Sequence, residues 1–303
     1  MFKEHFKTAV VIGAGAVGQM FAQLLTERGT LVTCFDSEPR NGAASGDACQ
    51  PSGKLAAAAA DAELIVLALP ERALSVALER IGALARRDAL LVETSSVKTP
   101  LESIKHTVLR DREVLGVNPM FAPSAGIAGH VVVTVHHGAG PASTCFEQLL
   151  AAHGARLVAL SAERHDRMTA LVQALGHAAI LGFADALAHA GEPLDDLLAI
   201  APPPFRVLMS LVARMLGQSP EVYWDIQSGN PHAIQARALL ADGVDRCNEA
   251  GGTVPLADFE TWLAQLTRYG GPALPALGTD CARLFASLPP SKSVAANEPL
   301  GVD

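Results

Sequence analysis

A glycine-rich motif near the N-terminus has the spacing of a dinucleotide-binding loop. The six residues from Gly13 to Gly18 read Gly-Ala-Gly-Ala-Val-Gly, which fits the pattern G-x-G-x-x-G. In that pattern the first glycine permits a tight turn, the second lets a pyrophosphate approach the backbone, and the third lets a helix pack closely against a strand. The N-terminus of that helix attracts phosphate. The motif therefore predicts that Gly13, Gly15, Ala16, Val17 and Gly18 bind a dinucleotide.

An acidic residue follows the motif at a distance that favours NAD. The next apolar run, Leu31–Phe35, is followed by Asp36, which lies 18 residues after Gly18. A carboxylate there accepts hydrogen bonds from the ribose hydroxyls and repels a 2′-phosphate, so Asp36 favours NAD over NADP. Arg40 lies only four residues after Asp36, and its positive charge would attract the 2′-phosphate of NADP. The choice between the two cofactors therefore stays partly open. A glycine turn that serves only packing is the alternative, but the order of strand, motif, helix and strand favours the cofactor.

Two later strand ends carry polar side chains that suit a substrate site. Thr94–Lys98 follows the apolar run Leu90–Glu93, and Asn118 follows the next run, Glu113–Val117. Ligands of open α/β sheets bind at the carboxyl ends of the strands, so Ser96 and Asn118 are expected at one edge. Taken alone, a Ser/Thr cluster after a strand is more often a helix cap. A second polar strand end beside the first strengthens the interpretation as a site.

The elements that position these residues indicate a doubly wound sheet in the first half of the chain. Short β-branched runs alternate with amphipathic stretches, which is typical of a mostly parallel sheet with helices on both faces. The predicted strands are Thr8–Ile12, Leu31–Phe35, Leu64–Leu69, Leu90–Glu93, Glu113–Val117, Val131–Val135 and Ala155–Leu160. The predicted fold class is therefore α/β, with an NAD-binding Rossmann domain over residues 1–160.

Helical patterns replace strand patterns from Ser161 onward. Apolar residues recur at helical spacing, and prolines occur where they suit helix starts. We therefore predict an all-helical substrate and dimerisation domain over residues 161–287. The apolar face of Val207–Leu216 favours a homodimer through this domain. Residues 288–303 are rich in Pro, Ser, Ala and Asn and are predicted to be a flexible tail.

Composition and charge exclude several classes of function. Lys and Arg number 23 against 31 Asp and Glu, so the net charge is −8 and nucleic acid is not an expected partner. The five cysteines are scattered without a metal-ligand pattern, which indicates a reducing compartment and predicts no metal site. There is no signal-peptide core and no uninterrupted run of 18 apolar residues. We therefore expect a cytoplasmic protein that does not bind or cross a membrane.

Further motifs occur in the order typical of one enzyme family. After the glycine motif, the chain contains Ser96-Val97-Lys98, Pro119–Pro123, Glu163–Asp166, Gln173-Ala174-Leu175-x-His177, Phe205-Arg206, Tyr223-x-Asp225-Ile226 and Asn230. No single motif is specific, but the combination over about residues 8–285 resembles the TyrA family, the prephenate and arogenate dehydrogenases.

The resemblance implies an NAD-dependent dehydrogenase that acts on a cyclohexadienyl dicarboxylate. Such an enzyme removes hydride from C4 of the ring while the C1 carboxylate leaves as carbon dioxide. The family's serine, which matches Ser96, polarises the C4 substituent, and its arginine, which matches Arg206, binds a substrate carboxylate. His177 and Tyr223 match positions expected to contact the substrate. With a net charge of −8, a dianionic substrate requires local cations, for which Lys98 and Arg206 are the candidates.

The residues by themselves leave several of these roles open. A lone helix histidine such as His177 is more often structural than catalytic. Arg206 equally fits an ion pair with a structural carboxylate. His165 and Asp166 equally fit a capped and charged first turn of a helix.

One position departs from the family and changes the expected substrate. Prephenate-type enzymes carry His-Pro where this chain has Asn118-Pro119, and an asparagine amide does not accept a proton near neutral pH. A C4 amine expels hydride with its own lone pair, and an asparagine carbonyl accepts an N–H from it. We therefore expect oxidative decarboxylation of 4-amino-4-deoxyprephenate to 4-aminophenylpyruvate, a reaction of antibiotic pathways that proceed through para-aminophenylalanine.

Three alternatives remain at the level of the sequence. The first is an ordinary prephenate or arogenate dehydrogenase of tyrosine biosynthesis, in which another group replaces the histidine. The second is a catalytically silent NAD-binding regulator, against which the retention of Ser96, His177 and Arg206 argues. The third is a β-hydroxyacid or imine reductase, which would require a lysine or aspartate that Met168–Gly182 lacks.

Overall fold

The computed structural model describes residues 5–104, 109–252 and 254–289. The chain forms two compact units, and each unit contains two separate segments. The sheet unit consists of residues 1–172 and 221–232, and the helical unit consists of residues 173–220 and 233–303.

An eight-stranded sheet forms the centre of the sheet unit. Its strands are β1 (Thr8–Ile12), β2 (Leu31–Asp36), β3 (Ala44–Ser45), β4 (Leu64–Leu67), β5 (Leu90–Glu93), β6 (Val114–Pro119), β7 (Val131–Gly138) and β8 (Arg156–Ala159). In space the order is β3-β2-β1-β4-β5-β6-β7-β8. All neighbours are parallel except β6 and β7, which pair antiparallel. The seven predicted strands are present, and the two-residue β3 is an addition.

Both faces of this sheet carry a hydrophobic core. Val10 and Ile12 of β1 belong to one cluster of buried side chains, and Ala9 and Val11 belong to a second. Because successive residues of a strand point to opposite faces, the two clusters cover the two sides of the sheet. Burial of each large aliphatic side chain contributes about 1.5–3 kcal/mol. The near-continuous apolar strands of the sequence follow from this two-sided burial.

Twelve α-helices make up most of the remaining regular structure of the described residues. They are α1 (Ala16–Glu27), α2 (Gly53–Asp61), α3 (Glu71–Leu84), α4 (Pro141–Ala152), α5 (Ala162–Thr169), α6 (Gly176–Ala190), α7 (Leu194–Ala199), α8 (Pro203–Leu216), α9 (Pro220–Gly229), α10 (Ala233–Gly252), α11 (Leu256–Gly270) and α12 (Leu274–Ser287). A π-helical stretch, Ala170–Leu175, connects α5 with α6. Between Leu160 and Pro289, the described residues contain no strand, as the helical pattern predicts.

The sheet unit extends beyond the boundary predicted at residue 160. The Asp166 carboxylate of α5 accepts hydrogen bonds from the backbone N–H groups of Lys98 at 2.8 Å and Thr99 at 2.7 Å. Asn230, just after α9, donates to the Asp166 carbonyl oxygen at 2.8 Å. These buried contacts attach both segments to the sheet unit, and helical periodicity carries no information about them. The tail predicted for 288–303 lies outside the described residues from residue 290 onward.

The helical unit leaves much apolar surface exposed. Helices α6, α7, α11 and α12 contain no buried residue. On α8, Val212 and Met215 are buried, whereas Leu208 and Leu211 are exposed. By length and composition alone, the helical run Ala162–Ala190 is also apolar enough to cross a membrane. A helix buried in a protein interior or an interface has the same composition.

Candidate active site

The loop between β1 and α1 requires glycine at two of its three glycine positions. Gly13 has a φ of +101°, and a Cβ there would lie 2.1 Å from the Ala68 carbonyl oxygen. A Cβ at Gly18 would lie 1.8 Å from the Gly13 carbonyl oxygen. At Gly15, by contrast, a Cβ would meet no protein atom within 4 Å. The fold therefore explains Gly13 and Gly18, whereas the space beside Gly15 suits a ligand that approaches the backbone.

The N-terminus of α1 adds an electrostatic reason for an anionic ligand. The helix begins at Ala16, and no side chain caps it. Its first N–H groups, which include those of Ala16 and Val17, have no partner within the helix. A pyrophosphate beside Gly15 would accept hydrogen bonds from such groups and interact favourably with the helix dipole. The predicted loop residues thus fit a dinucleotide.

Asp36 ends β2 and contacts this loop. Its carboxylate accepts hydrogen bonds from the N–H groups of Ala14 at 2.7 Å and Glu38 at 2.9 Å. Burial raises the pKa of Asp36, but these hydrogen bonds and the charge of Arg40 outweigh it, so the pKa lies below its usual value. Arg40 Nε lies 3.4 Å from Asp36 Oδ2, so Asp36 partly neutralises its charge. An ionised carboxylate held here suits the ribose hydroxyls of NAD and disfavours the phosphate of NADP.

The loop after β5 is held from two sides by carboxylates. Glu93 accepts hydrogen bonds from the Ser95 N–H at 2.8 Å and the Ser95 hydroxyl at 2.6 Å. The carboxylate of Glu71, at the start of α3, lies beside the N–H groups of Ser96 and Val97, which oppose the rise of the Glu71 pKa on burial. Ser96 itself is half-buried, and no hydrogen bond to its hydroxyl occurs among the residues that the structure describes. The carboxylates thus fix the backbone of Ser96 and leave its hydroxyl for a ligand.

Asp166 completes the support of this loop. Its carboxylate accepts hydrogen bonds from the next two backbone N–H groups, those of Lys98 and Thr99, and from the Thr99 hydroxyl. Five consecutive backbone N–H groups therefore each face a carboxylate. Burial raises the pKa of Asp166, but the hydrogen bonds from His165 and this loop outweigh it and lower the pKa. Asp166 is thus an ionised acceptor within the sheet unit.

The structure contradicts the predicted role of Lys98 in substrate binding. Lys98 is fully buried, and its Nζ donates to Glu93 Oε1 at 2.7 Å and to the Val117 carbonyl oxygen at 3.1 Å. Burial raises the pKa of Glu93, but Lys98, with His137 and Ser95, lowers it to about 2, so the pair is ionised. The charge of Lys98 is neutralised inside the protein. The sequence places Lys98 after a strand end but does not show that Glu93 reaches it.

Asn118, near the end of β6, contacts a histidine for which the sequence left two interpretations. Asn118 Nδ2 lies 3.0 Å from His165 Nε2, and His165 Nδ1 lies 2.7 Å from Asp166 Oδ1. Asn118 is 4% exposed, and His165 and Asp166 are fully buried. The helix start is capped as that interpretation expects, because the Ser161 hydroxyl accepts a hydrogen bond from the Arg164 N–H, but His165 and Asp166 are buried in addition. The three residues form a buried hydrogen-bonded chain.

The parallel strands bring four of the predicted groups to one edge of the sheet. β1 pairs in parallel with β2 and β4, β4 with β5, and β5 with β6. The glycine loop, Asp36, Ser96 and Asn118 all lie at or just after the carboxyl ends of these strands. This is the edge at which open α/β sheets bind their ligands.

The other predicted residues are divided between the two units. Tyr223 on α9 is half-buried in the sheet unit, and His177 on α6 and Arg206 on α8 are half-buried in the helical unit. Burial and the positive charge of Arg214 lower the pKa of His177. Arg214 lies on the same helix as Arg206, and the sequence pattern did not single it out. Helical spacing alone does not show which of two arginines approaches a histidine on another helix.

Comparison with known proteins identifies the family. Residues 161–248 match the family described as prephenate dehydrogenase, dimerization domain. A 4-amino-4-deoxyprephenate dehydrogenase from Streptomyces pristinaespiralis is 38% identical over 291 residues, which cover 93% of this chain and 97% of that protein. This chain belongs to the TyrA family. A second relative, the T-protein of Enterobacter agglomerans, is 30% identical over 86% of this chain and 65% of that protein.

A solved structure has the same fold as this TyrA chain. It is the prephenate dehydrogenase from A. aeolicus in complex with hydroxyphenyl propionate and NAD+, with a TM-score of 0.67 and 18% identity. The similarity covers 87% of this chain and 95% of that chain. The predicted fold class, a Rossmann sheet followed by helices, and the predicted family are both confirmed.

Proposed function

We propose that this TyrA enzyme catalyses the NAD-dependent oxidative decarboxylation of 4-amino-4-deoxyprephenate to 4-aminophenylpyruvate. The observation that carries the proposal is Asn118, a buried amide at the sheet edge where the prephenate-type pattern has a histidine. The relative from Streptomyces pristinaespiralis, which bears the name of this activity, supports the same substrate.

The reaction removes a hydride from C4 and carbon dioxide from C1 of the ring. When the bond between C1 and the carboxylate breaks, its electron pair enters the ring and makes it aromatic. NAD, when bound, accepts the departing hydride. The C4 nitrogen keeps both of its protons overall, so the balance requires no base at this position.

Asn118 suits a C4 amine better than a C4 hydroxyl. A neutral amine expels the hydride with its lone pair, and an amide oxygen orients that amine by accepting one N–H. A hydroxyl is the weaker electron donor, and a neighbouring base that draws on its proton assists it. A histidine in place of Asn118 would also repel an ammonium substrate whenever the imidazole is charged.

We assign the remaining site residues the roles that the resemblance to the TyrA family implies. The loop Gly13–Gly18 and Asp36 hold NAD, and the Ser96 hydroxyl polarises the C4 substituent. His177 and Tyr223 contact the substrate. The carboxylates of the substrate require a cation as a partner, and α8 carries two candidates, Arg206 and Arg214. Burial and the positive charge of Arg214 lower the pKa of His177.

We also propose a cytoplasmic homodimer that forms through the helical unit. Two observations support the dimer, namely the match of residues 161–248 to a dimerization domain and the exposed apolar faces of this unit. Five free cysteines support a reducing compartment. The proposed product leads to para-aminophenylalanine and places the enzyme in antibiotic biosynthesis.

A prephenate or arogenate dehydrogenase of tyrosine biosynthesis is the second candidate. The match of residues 161–248 to a family described as prephenate dehydrogenase, dimerization domain, favours it. In that case a group other than Asn118 would have to assist the C4 hydroxyl.

The test compares both substrates with the wild-type protein and with Asn118→His. With NAD, kcat/KM of the wild type is expected to be about 100-fold higher for the amino substrate than for prephenate. Asn118→His should gain turnover of prephenate and lose turnover of the amine. Asn248→His, which places the same side chain on the exposed surface of α10, is the matched control and should change neither. A wild-type preference for prephenate would refute the proposed substrate.

A further inference from the structure

The direction in which the Asn118 amide points is set by a buried neighbour. We propose that His165 is a positioning residue that holds the Asn118 carbonyl oxygen toward the C4 amine of the substrate. This role rests on the proposed function, and its structural basis is the chain of contacts from Asp166 through His165 to Asn118.

The first step concerns Asp166, which acts only as an acceptor. Its Oδ1 accepts the Lys98 N–H at 2.8 Å, and its Oδ2 accepts the Thr99 N–H at 2.7 Å. Several donors thus converge on a fully buried carboxylate, which stabilises its ionised form. An ionised carboxylate has no proton to donate.

The second step fixes the proton on His165. Its Nδ1 lies 2.7 Å from Asp166 Oδ1, and a hydrogen bond to an ionised carboxylate requires that Nδ1 carries the proton. In the neutral ring, Nε2 is then an acceptor. The ring has little freedom to turn, because His165 is fully buried and both of its ring nitrogens have a partner.

The third step orients Asn118. Because His165 Nε2 accepts, the group of Asn118 that faces it at 3.0 Å must be the NH2 group. The amide oxygen of Asn118 therefore points away from His165. A reversed amide would place an oxygen lone pair against the Nε2 lone pair, and burial would make that repulsion costly.

This orientation gives His165 a consequence for specificity. An oxygen held in place accepts an N–H from the amine and keeps the nitrogen lone pair available to expel the hydride. An amide free to turn would present its own NH2 group part of the time, and two donors would then face each other. His165 thus raises turnover of the amine without touching the substrate.

The test uses two substitutions that separate the two ring nitrogens. His165→Gln places an amide oxygen near the position of Nε2 and keeps an acceptor for Asn118. His165→Asn places an amide near the position of Nδ1, so it keeps a donor for Asp166 and removes the acceptor. We expect kcat for the amino substrate to fall about 100-fold in His165→Asn and about 5-fold in His165→Gln, with KM changed less than about 3-fold in both.

Two controls show whether the effect passes through Asn118. In an Asn118→Ala background, the difference between His165→Asn and His165→Gln should vanish, because no amide remains to be oriented. Thermal unfolding and NAD binding should be equal in the two His165 variants. Equal loss of kcat in both variants would assign His165 a merely structural role and overturn the proposal.

A second measurement does not depend on turnover. 15N NMR of the protein with labelled histidine should show His165 protonated on Nδ1 and unprotonated on Nε2, and a proton on Nε2 would overturn the proposal. If the wild type prefers prephenate while the NMR and the two variants behave as expected, the proposed substrate fails and the positioning role of His165 stands.

Discussion

Glu93, Lys98, His165 and Asp166 are fully buried in the sheet unit, and each has a partner of complementary charge or hydrogen-bonding capacity from the same chain. The helical unit shows the opposite arrangement. Large apolar side chains remain in contact with solvent there, and Leu216 on α8 is 70% exposed. These four buried groups of the sheet unit are thus satisfied within one chain, whereas the apolar groups of the helical unit stay exposed in one chain.

The two units differ in whether the contacts within one chain are enough to pair or bury their side chains. A buried charge without a partner costs several kcal/mol, so the network in the sheet unit must close within the fold. Its carboxylates bind the backbone of the loop that carries Ser96, and His165 contacts Asn118. The network therefore also positions these two site residues. An exposed apolar face costs less in one chain and gains free energy when a second copy covers it.

The largest expected effect comes from breaking the closed network with Lys98→Met. This change leaves Glu93 as a buried charge without its cation, and the free energy of unfolding of the sheet unit should fall by about 3–5 kcal/mol. Urea denaturation followed by circular dichroism measures the loss. Lys54→Met, at an exposed position of α2, should change it by less than about 0.5 kcal/mol.

A second variant separates the missing partner from the lost packing. If the unpaired carboxylate is the cause, adding Glu93→Gln to Lys98→Met should recover part of the loss. A Lys98→Met protein within about 1 kcal/mol of the wild type would contradict the view that this pair is strongly coupled.

The same contrast explains what the sequence could predict. Apolar patterns with periods of 2 and 3.6 residues are local, and they identified all seven longer strands and the helix that follows Ser161. The G-x-G-x-x-G motif is also local and predicted the loop from Gly13 to Gly18. Asn118 is also identified locally, because it replaces the histidine of the family's His-Pro motif.

Partners that are distant in the sequence could not be predicted in this way. Even for Lys98, whose partner Glu93 is only five residues away, the sequence does not show that the loop between them brings the two charges together. The contact between Asn118 and His165 joins positions 47 residues apart, and that between Asp166 and Asn230 joins positions 64 residues apart. The latter contact also explains why the sheet unit includes residues after α9. Such contacts depend on how elements pack, which periodicity does not specify.

A smaller effect is expected from disturbing the exposed apolar surface. Leu211→Glu places a charge on the open face of α8, where Leu211 is 37% exposed. If this face lies in the dimer interface, burying that charge should raise the dissociation constant of the dimer at least about 10-fold, as measured by analytical ultracentrifugation. The urea midpoint of the sheet unit should stay unchanged.

The matched control for this surface is Gln218→Glu, an exposed polar position just after α8, which should leave the dissociation constant unchanged. An unchanged dissociation constant in Leu211→Glu would place the interface on another face of the helical unit.

The smallest expected effect concerns Glu71, a member of the network at the sheet edge whose charge is poorly compensated. Burial and then the charge of Asp225 raise the pKa of Glu71 to about 7, against the N–H groups of Ser96 and Val97 and the charge of Lys98. Between its ordinary value of 4.5 and about 7, the folded protein binds more protons at Glu71 than the unfolded chain does. The contribution of Glu71 to stability is therefore complete below that window and is lost as the pH rises through it.

Glu71→Gln removes this titration and keeps an oxygen beside the N–H groups of Ser96 and Val97. The variant should melt at about the same temperature as the wild type at pH 4.5 and about 2 °C above it at pH 8, as measured by calorimetry. Glu260→Gln, an exposed position on α11, should show no such pH-dependent difference. If Glu71→Gln gained nothing at pH 8, the carboxylate would be as well compensated as Glu93, and the whole network of the sheet unit would be closed.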